Sequence, residues 1–159
     1  MTFKNDIETI KKAVELHEIA VNNVKAKSPS GDLTSMCLFQ ALPAFYSKIV
    51  AENGGNLMGL EQIEEDSILF MAGIHVKEAE MAEYGDAQAK EWLKGVEDFA
   101  RERGTYVEWQ FLNYADKSQN PLASFGAENL AKMKEVAQQY DPEGVFQIQS
   151  PGGFKLSNA

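Results

Sequence analysis

The chain has 159 residues and carries 15 lysines and arginines against 24 aspartates and glutamates, a formal net charge of −9. Hydrophobic residues at 44% and charged residues at 25% are a globular composition, which excludes a disordered tail, a collagen-like repeat and a disulfide scaffold. The acidic balance repels nucleic acid and anionic membrane, and no apolar run approaches the ~20 residues that span a bilayer.

A chain of this length buries roughly 70% of its unfolded surface, enough for one core, so a single domain over 1–159 is expected. Cys37 is the one cysteine, which leaves no intrachain disulfide. No Asn-x-Ser/Thr acceptor occurs, and Met1-Thr2-Phe3-Lys4-Asn5-Asp6 is not followed by a signal-peptide core. These features predict a cytoplasmic protein.

Ile7, Ile10, Val14, His17, Val21 and Val24 recur at intervals of three and four and predict the buried stripe of a first helix. Asn5 with Glu8 reads as its cap, and Ser28-Pro29-Ser30-Gly31 as its stop. Leu33 to Leu42 follows as a strand, with Met36 and Leu38 on one face and Cys37 and Phe39 on the other. Apolar residues on both faces suggest a strand covered on both sides. Pro43 opens a short helix through Phe45, Ile49 and Val50 that ends at Gly54-Gly55. Residues 53–66 form a loop, glycine-rich and then acidic.

Ile68 to Val76 is a second strand, with Leu69, Met71, Gly73 and His75 sharing one face. A helix from about Asp86 to Arg103 places Ala89, Trp92, Val96 and Phe99 in its stripe, with Gly104 as its C-terminal cap. Tyr106 to Tyr114 reads as a third strand. A last helix begins after Ser124, carries Leu130, Met133, Ala137 and Tyr140, and ends at Asp141-Pro142. Residues 143–159 form a turn-rich tail. The order is α-β-α-β-α-β-α. Three strands leave two edges and a large apolar face, so either a second copy or a fourth strand is expected, with Val145 to Gln149 the candidate.

The familiar catalytic motifs are absent: there is no P-loop, no G-x-G-x-x-G after a strand, no zinc spacing and no nucleophile elbow. His17 lies on an apolar stripe and reads as a packed histidine. For His75, at a strand end beside Leu69 and Met71, a structural and an acid–base role both stand. Cys37 reads as an inert core thiol, and Glu61, Glu64, Glu65 and Asp66 as a solvated loop. Trp109, Phe111 and Tyr114 read as core or as pocket wall. Asn113, Tyr114 and Asp116 at the strand end add polar groups where ligand sites collect.

Three stretches of the C-terminal third carry a resemblance: Phe111-Leu112-Asn113-Tyr114-Ala115-Asp116, Asn120-Pro121-Leu122-Ala123-Ser124-Phe125-Gly126 and Tyr140-Asp141-Pro142-Glu143-Gly144-Val145-Phe146. With Pro151-Gly152-Gly153-Phe154-Lys155, and upstream Phe3-Lys4-Asn5-Asp6 and Gly54-Gly55-Asn56-Leu57-Met58-Gly59-Leu60, they resemble the C-terminal substrate domain of fungal berberine-bridge-enzyme-like FAD-linked oxidases. The resemblance implies an α+β fold, a small mostly antiparallel sheet with helices packed on one face. It implies that the flavin is bound by a larger N-terminal domain, which this chain lacks. It places Tyr114 beside substrate and flavin as an acid–base group, with Phe111 where the family carries a first tyrosine.

On this basis the catalytic candidates are Tyr114, His75 and Asp116, and the substrate-binding candidates are Asn113, Trp109, Phe111 and Met71. No cofactor is expected in the chain itself, FAD entering only with a partner domain. The expected ligand is a small, mostly apolar organic molecule. Two functions follow: a flavin-independent isomerase or cyclase that acts as a homodimer, or a subunit that pairs with a flavin-binding partner.

Overall fold

The first helix, α1 (Ile7–Lys27), starts at Asp6, whose carboxylate accepts hydrogen bonds from the Thr9 backbone N–H and the Thr9 hydroxyl, both at 2.8 Å. The cap is one residue beyond the expected Asn5. Ser28 ends the helix, as expected. The buried face is Thr9, Ala13, Ala20 and Val24, while Ile7 and Val14 of the expected stripe are exposed. The reason is the neighbour. Helix α1 packs along a second long helix, Ala82–Glu102, whose Trp92 indole N–H donates to the Ala13 carbonyl at 2.8 Å. Alanines permit that approach, and a branched side chain at the same place would hold the helices apart.

This computed structural model describes residues 1–159, and its chain divides into two compact units. Unit 1 comprises Met1–Leu42 and Ser67–Val107; unit 2 comprises Pro43–Asp66 and Glu108–Ala159.

Unit 1 is the α+β arrangement expected. Strands β1 (Thr2–Lys4), β2 (Leu33–Leu42), β3 (Ser67–Val76) and β4 (Tyr106–Val107) pair antiparallel in the order β2-β3-β1-β4. The two ten-residue strands pair along their whole length, from Leu33 opposite Val76 to Leu42 opposite Ser67. One face meets the helices: Phe3, Phe70 and Trp92 centre a core with Ala13, Ala20, Val96 and Ala100, and Cys37, Phe39, Ile68, Ala72 and Ile74 pack against it. Phe39 and Phe70, opposite each other in register, stack with ring centroids 5.2 Å apart. No helix of the molecule is long and apolar enough to cross a membrane.

Several expectations are corrected here. The fourth strand exists, but it is β1 at the N-terminus, too short to show a period. The candidate Val145 to Gln149 is helical instead (Val145–Ile148). The third strand stops at Val107, because Trp109 and Gln110 turn to other partners: the Trp109 indole N–H donates to the Met58 carbonyl at 2.6 Å, and the Gln110 N–H to Ser124 Oγ at 3.0 Å. Strand β2 lies at the sheet edge and is covered on one face only, with Met36 47% exposed on the other.

Unit 2 holds helices α2 (Phe45–Glu52), α4 (Ala127–Tyr140) and α5 (Val145–Ile148), α3 being Ala82–Glu102 in unit 1. Its interior is small. Trp109 stacks on Phe125 at 6.4 Å and on Phe111 at 6.0 Å, and Ile63, Pro121 and Leu122 are the other buried apolar side chains. Gln62 Nε2 donates to the Phe125 carbonyl at 2.7 Å and lies against Gly59 and Gly126, both at positive φ. A Cβ at Gly126 would sit 2.6 Å from Gln62 Nε2, and one at Gly59 would strike the Phe125 carbonyl, so the glycines are what let the three loops close.

Candidate functional site

The seven candidate residues fall in both units, Met71 and His75 in unit 1 and the other five in unit 2. In unit 1 the period of two holds. Met71 and His75 share the sheet face turned away from the helices, and the register sets Leu38 opposite Met71, Met36 opposite Gly73 and Thr34 opposite His75. The face therefore runs from apolar (Leu38, Met71, Met36) to polar (Thr34, His75). At its polar end lies an open hollow of about 210 Å³ lined by Asp32, Leu33, Thr34, His75 and Lys77, with Lys77 Nζ 2.8 Å from Asp32 Oδ2. Thr34, Asp32 and Lys77 were not among the expected site residues. The signal for Thr34 was available once β2 and β3 are paired in register.

The other histidine is packed, as expected: His17 Nε2 is 2.9 Å from Ser35 Oγ, and its ring lies 4.9 Å from Trp92. Burial pushes the Cys37 thiol up, away from the thiolate, in keeping with an inert thiol. Just beyond the hollow, Glu78 accepts from both Ser28 Oγ and the Ser30 N–H and hydroxyl. Those bonds, from Ser30 first, hold its carboxyl below the usual range and fix the turn that feeds β2.

In unit 2 the aromatic residues form one pile. Trp109 is 5% exposed and clamps Met58; Phe111 lies beside it; Tyr114 meets Phe111 edge-on at 5.0 Å and is 38% exposed. Phe111 leads into a 3-10 turn, Leu112–Tyr114, that brings Asn113 and Tyr114 to the surface. Asp116 is engaged locally: its Oδ1 accepts the Ser118 N–H at 3.0 Å and hydroxyl at 2.6 Å, while its own N–H donates to Gln119 Oε1 at 2.9 Å. Of the expected residues, Tyr114 and Asn113 present polar groups at the surface and Trp109 holds the loops behind them. The Trp109 partner, Met58, lies 51 residues away in sequence, and no local pattern announces it.

No protein-family model matches the chain, and no solved structure matches it. Curated relatives do. The chain is 34% identical over 157 residues to the FAD-dependent monooxygenase drtC of Aspergillus calidoustus, a match covering 99% of this chain and 30% of that protein. It is 31% identical over 159 residues to the FAD-dependent monooxygenase sdcF of Emericella nidulans, covering 99% of this chain and 33% of that one. A shorter match, 42% identical over 64 residues, is to the bifunctional solanapyrone synthase of Alternaria solani, covering 40% of this chain and 12% of the synthase. The two matched along the whole chain are thus fungal FAD-dependent monooxygenases by name, and the chain spans about a third of their length.

These names raise the question of FAD. The diphosphate of a dinucleotide is usually held at a free helix N-terminus. Here Asp6 occupies the start of α1, Glu83 lies in the first turn of α3 and Glu128 in that of α4. Each puts a carboxylate where the phosphates would go. The first turn of α2 holds no acidic residue, but no glycine-rich phosphate-binding turn leads into it, so the chain shows no built site for the diphosphate.

Proposed function

We propose that the chain is the substrate-side portion of a fungal flavin-linked oxidoreductase of the berberine-bridge-like kind, with FAD held by a partner flavin-binding domain. It takes a small, mostly apolar organic molecule against the part of the outer unit 1 sheet face where Met36 and His75 are exposed, Leu69 on the same face being buried. One observation carries this reading: a single face aligns Leu38, Met71 and Met36 with a terminal Thr34–His75 pair. Such a surface suits an apolar ligand with one polar end. The curated relatives, FAD-dependent by name and similar to this chain over about a third of their length, support it.

His75 is the proton acceptor or donor for the ligand's polar end, since histidine is the usual general acid–base side chain. The Lys77–Asp32 pair edges the same hollow. In unit 2, taken by itself, Tyr114 is the acid–base candidate, Asn113 and Asp116 are the orienting ones, and Trp109 and Phe111 hold the turn that carries Asn113 and Tyr114. The test joins the chain to the flavin-binding remainder of the Aspergillus calidoustus relative and screens hydroxyaromatic and polyene compounds for flavin bleaching. His75→Ala is expected to lower kcat by about 10²–10⁴-fold, the usual worth of a positioned acid or base. Unchanged turnover in a His75→Ala, Tyr114→Phe double variant overturns the assignment.

A second reading, a flavin-independent isomerase or cyclase, is favoured by the same hollow. A titratable ring beside a hydroxyl and an ion pair can move a proton and orient a substrate with no redox partner. It is separated from the first by the product: conversion of the same compounds without flavin, at unchanged mass, selects it.

A further inference from the structure

We infer that a hollow in unit 2 binds a small organic carboxylate, with Lys117 and Lys155 on the acid group and Leu122 and Phe154 against its carbon skeleton. The hollow holds about 230 Å³ and is lined by the 117–122 loop and the turn at 153–158. It lies wholly in unit 2, so it stands or falls independently of the unit 1 face.

The cations are unusual for this chain. The net charge is −9, yet two lysines remote in sequence line one hollow, and neither takes part in an ion pair. Lys155 is half-buried, and its ammonium makes one long contact, to the Phe146 carbonyl at 3.4 Å. An ammonium carries three donors and no acceptor, so two of its protons are left for a ligand.

The neighbouring amides are turned the same way. The Gln119 side-chain oxygen accepts the Asp116 N–H at 2.9 Å, and the Asn120 side-chain oxygen accepts the Ala123 N–H at 3.2 Å. With each oxygen engaged by the backbone, the NH₂ group is what remains for a ligand. The carboxylate of the adjoining Asp116 is turned to the Ser118 N–H and hydroxyl. Four lining side chains therefore offer donors, and charge-assisted donors of this kind suit an anion.

Leu122 and Phe154 decide which anion. Leu122 is 7% exposed and Phe154 half-buried. Inorganic phosphate has nothing to set against them, whereas an acid with a short apolar body uses both kinds of lining. The volume is below the roughly 300 Å³ at which drug-sized sites begin, which keeps that body small.

Both walls are fixed in advance. The Gln119 N–H returns to the Asp116 carbonyl at 2.9 Å and closes the loop. Gly152 and Gly153, at φ +79° and +68°, reverse the tail, and the Asn158 N–H donates to the Lys155 carbonyl at 3.0 Å. Lys134 Nζ holds the Ala159 carbonyl at 2.7 Å. Little ordering is left to oppose binding.

The test titrates the isotope-labelled chain with hexanoate at low salt, where exposed charges are least screened, and follows its amides by NMR. Saturable shifts at Lys117, Gln119 and Lys155 are expected. Replacing both lysines, Lys117→Gln with Lys155→Gln, should weaken binding by about 10-fold or more. Lys117→Gln alone, at an exposed position, should weaken it by about 3-fold and serves if the double variant fails a circular dichroism check. Acetate and inorganic phosphate, which lack the apolar body, and hexanol, which lacks the charge, should all bind more weakly than hexanoate. No saturable shift, or an unchanged affinity in the glutamine variants, overturns the inference. Phosphate or acetate binding as tightly as hexanoate also overturns it, since the hollow then reads charge alone; so does hexanol binding as tightly, since it then reads the apolar body alone. His75→Ala should bind hexanoate as the parent does, so a failure of the hollow and a failure of the unit 1 reading are told apart.

Discussion

The two units spend their apolar residues differently. In unit 1, long helices and a four-stranded sheet bury twelve apolar side chains, and only Ile7, Val14, Ile19 and Met36 of its large ones are exposed. In unit 2 the proportion inverts: Ile63, Trp109, Pro121, Leu122 and Phe125 are buried, and nine large apolar side chains are exposed. Unit 1 has the anatomy of a self-sufficient core. Unit 2 is a set of loops clipped by hydrogen bonds around one tryptophan, with helices that bury no residue fully. Burial is thus divided unevenly along the chain, and each unit carries one tryptophan to report on it, Trp92 and Trp109.

The sharpest break in that comparison is Trp92→Ala. Trp92 is fully enclosed, lies 5.6 Å from the Phe70 ring and donates to the Ala13 carbonyl. Its loss opens a cavity and strands an acceptor, a cost of about 3–5 kcal/mol. Urea unfolding monitored by far-UV circular dichroism should show the midpoint collapse. A loss under 1 kcal/mol would mean that unit 1 is not the stable half.

A smaller and more local effect is expected in unit 2. Gly126→Ala forces a left-handed residue and drives a Cβ against the Gln62 carboxamide. Such strain costs about 1–3 kcal/mol. In a Trp92→Phe background, Trp109 fluorescence should shift to lower urea, while the Trp92 signal of a Trp109→Phe background should stay in place. If both signals move together, the two units unfold as one.

How much of this was legible follows the same division. Strands β2 and β3 show in the sequence nearly to the residue because each is a mostly apolar run of about strand length bounded by polar or turn-forming residues, and the shared face of Met71 and His75 follows from the strand period of two. Strand β1 has three residues and no period to read. Helix α1 is evident, but its buried face is not: two apolar stripes compete, and the choice is made by Trp92, in another helix. Unit 2 is the least legible part. Its structure rests on bonds from Trp109 to Met58 and from Gln62 to Phe125, which join residues 51 and 63 apart, and tertiary partners of this kind leave no local pattern. The helical outcome at Val145–Ile148 hangs on Asp141 as a cap, a strand-like sequence overridden by two hydrogen bonds.

Acid tests the joint between α1 and the end of α3 in unit 1. Arg103 donates to both carboxylate oxygens of Asp6 at 3.0 Å, and with the Thr9 hydroxyl and N–H it holds the Asp6 carboxyl far below the usual carboxylate range. A depressed carboxyl adds stability that is fully present above its unfolded pKa of about 4 and is lost as pH falls toward the folded value. Asp6→Ala should therefore cost about 1 kcal/mol at pH 7, the worth of an N-cap. The gap to the parent protein should begin to narrow below about pH 4 and keep narrowing as pH falls toward the folded value. A gap that does not narrow at all below about pH 4 would show that the carboxylate charge is not what stabilises the cap.

The smallest expected effect is the one that decides what the exposed face of unit 2 is for. Phe146 and Tyr140 touch little within the chain, so Phe146→Ser and Tyr140→Ser should each move the stability of the isolated chain by no more than about 0.5 kcal/mol. A near-zero cost for deleting a large aromatic ring is informative only in contrast with Trp92, where the same class of deletion is ruinous. It states that the free energy of burying these rings has not yet been collected. Were either substitution to cost well over 1 kcal/mol, the ring would already be covered, and the cover could only be another copy. Thermal midpoints would then rise with protein concentration, because a partner that binds the folded state alone stabilises it by mass action. Midpoints that stay flat with concentration, together with near-neutral serine variants, show that neither the chain itself nor a second copy covers these rings.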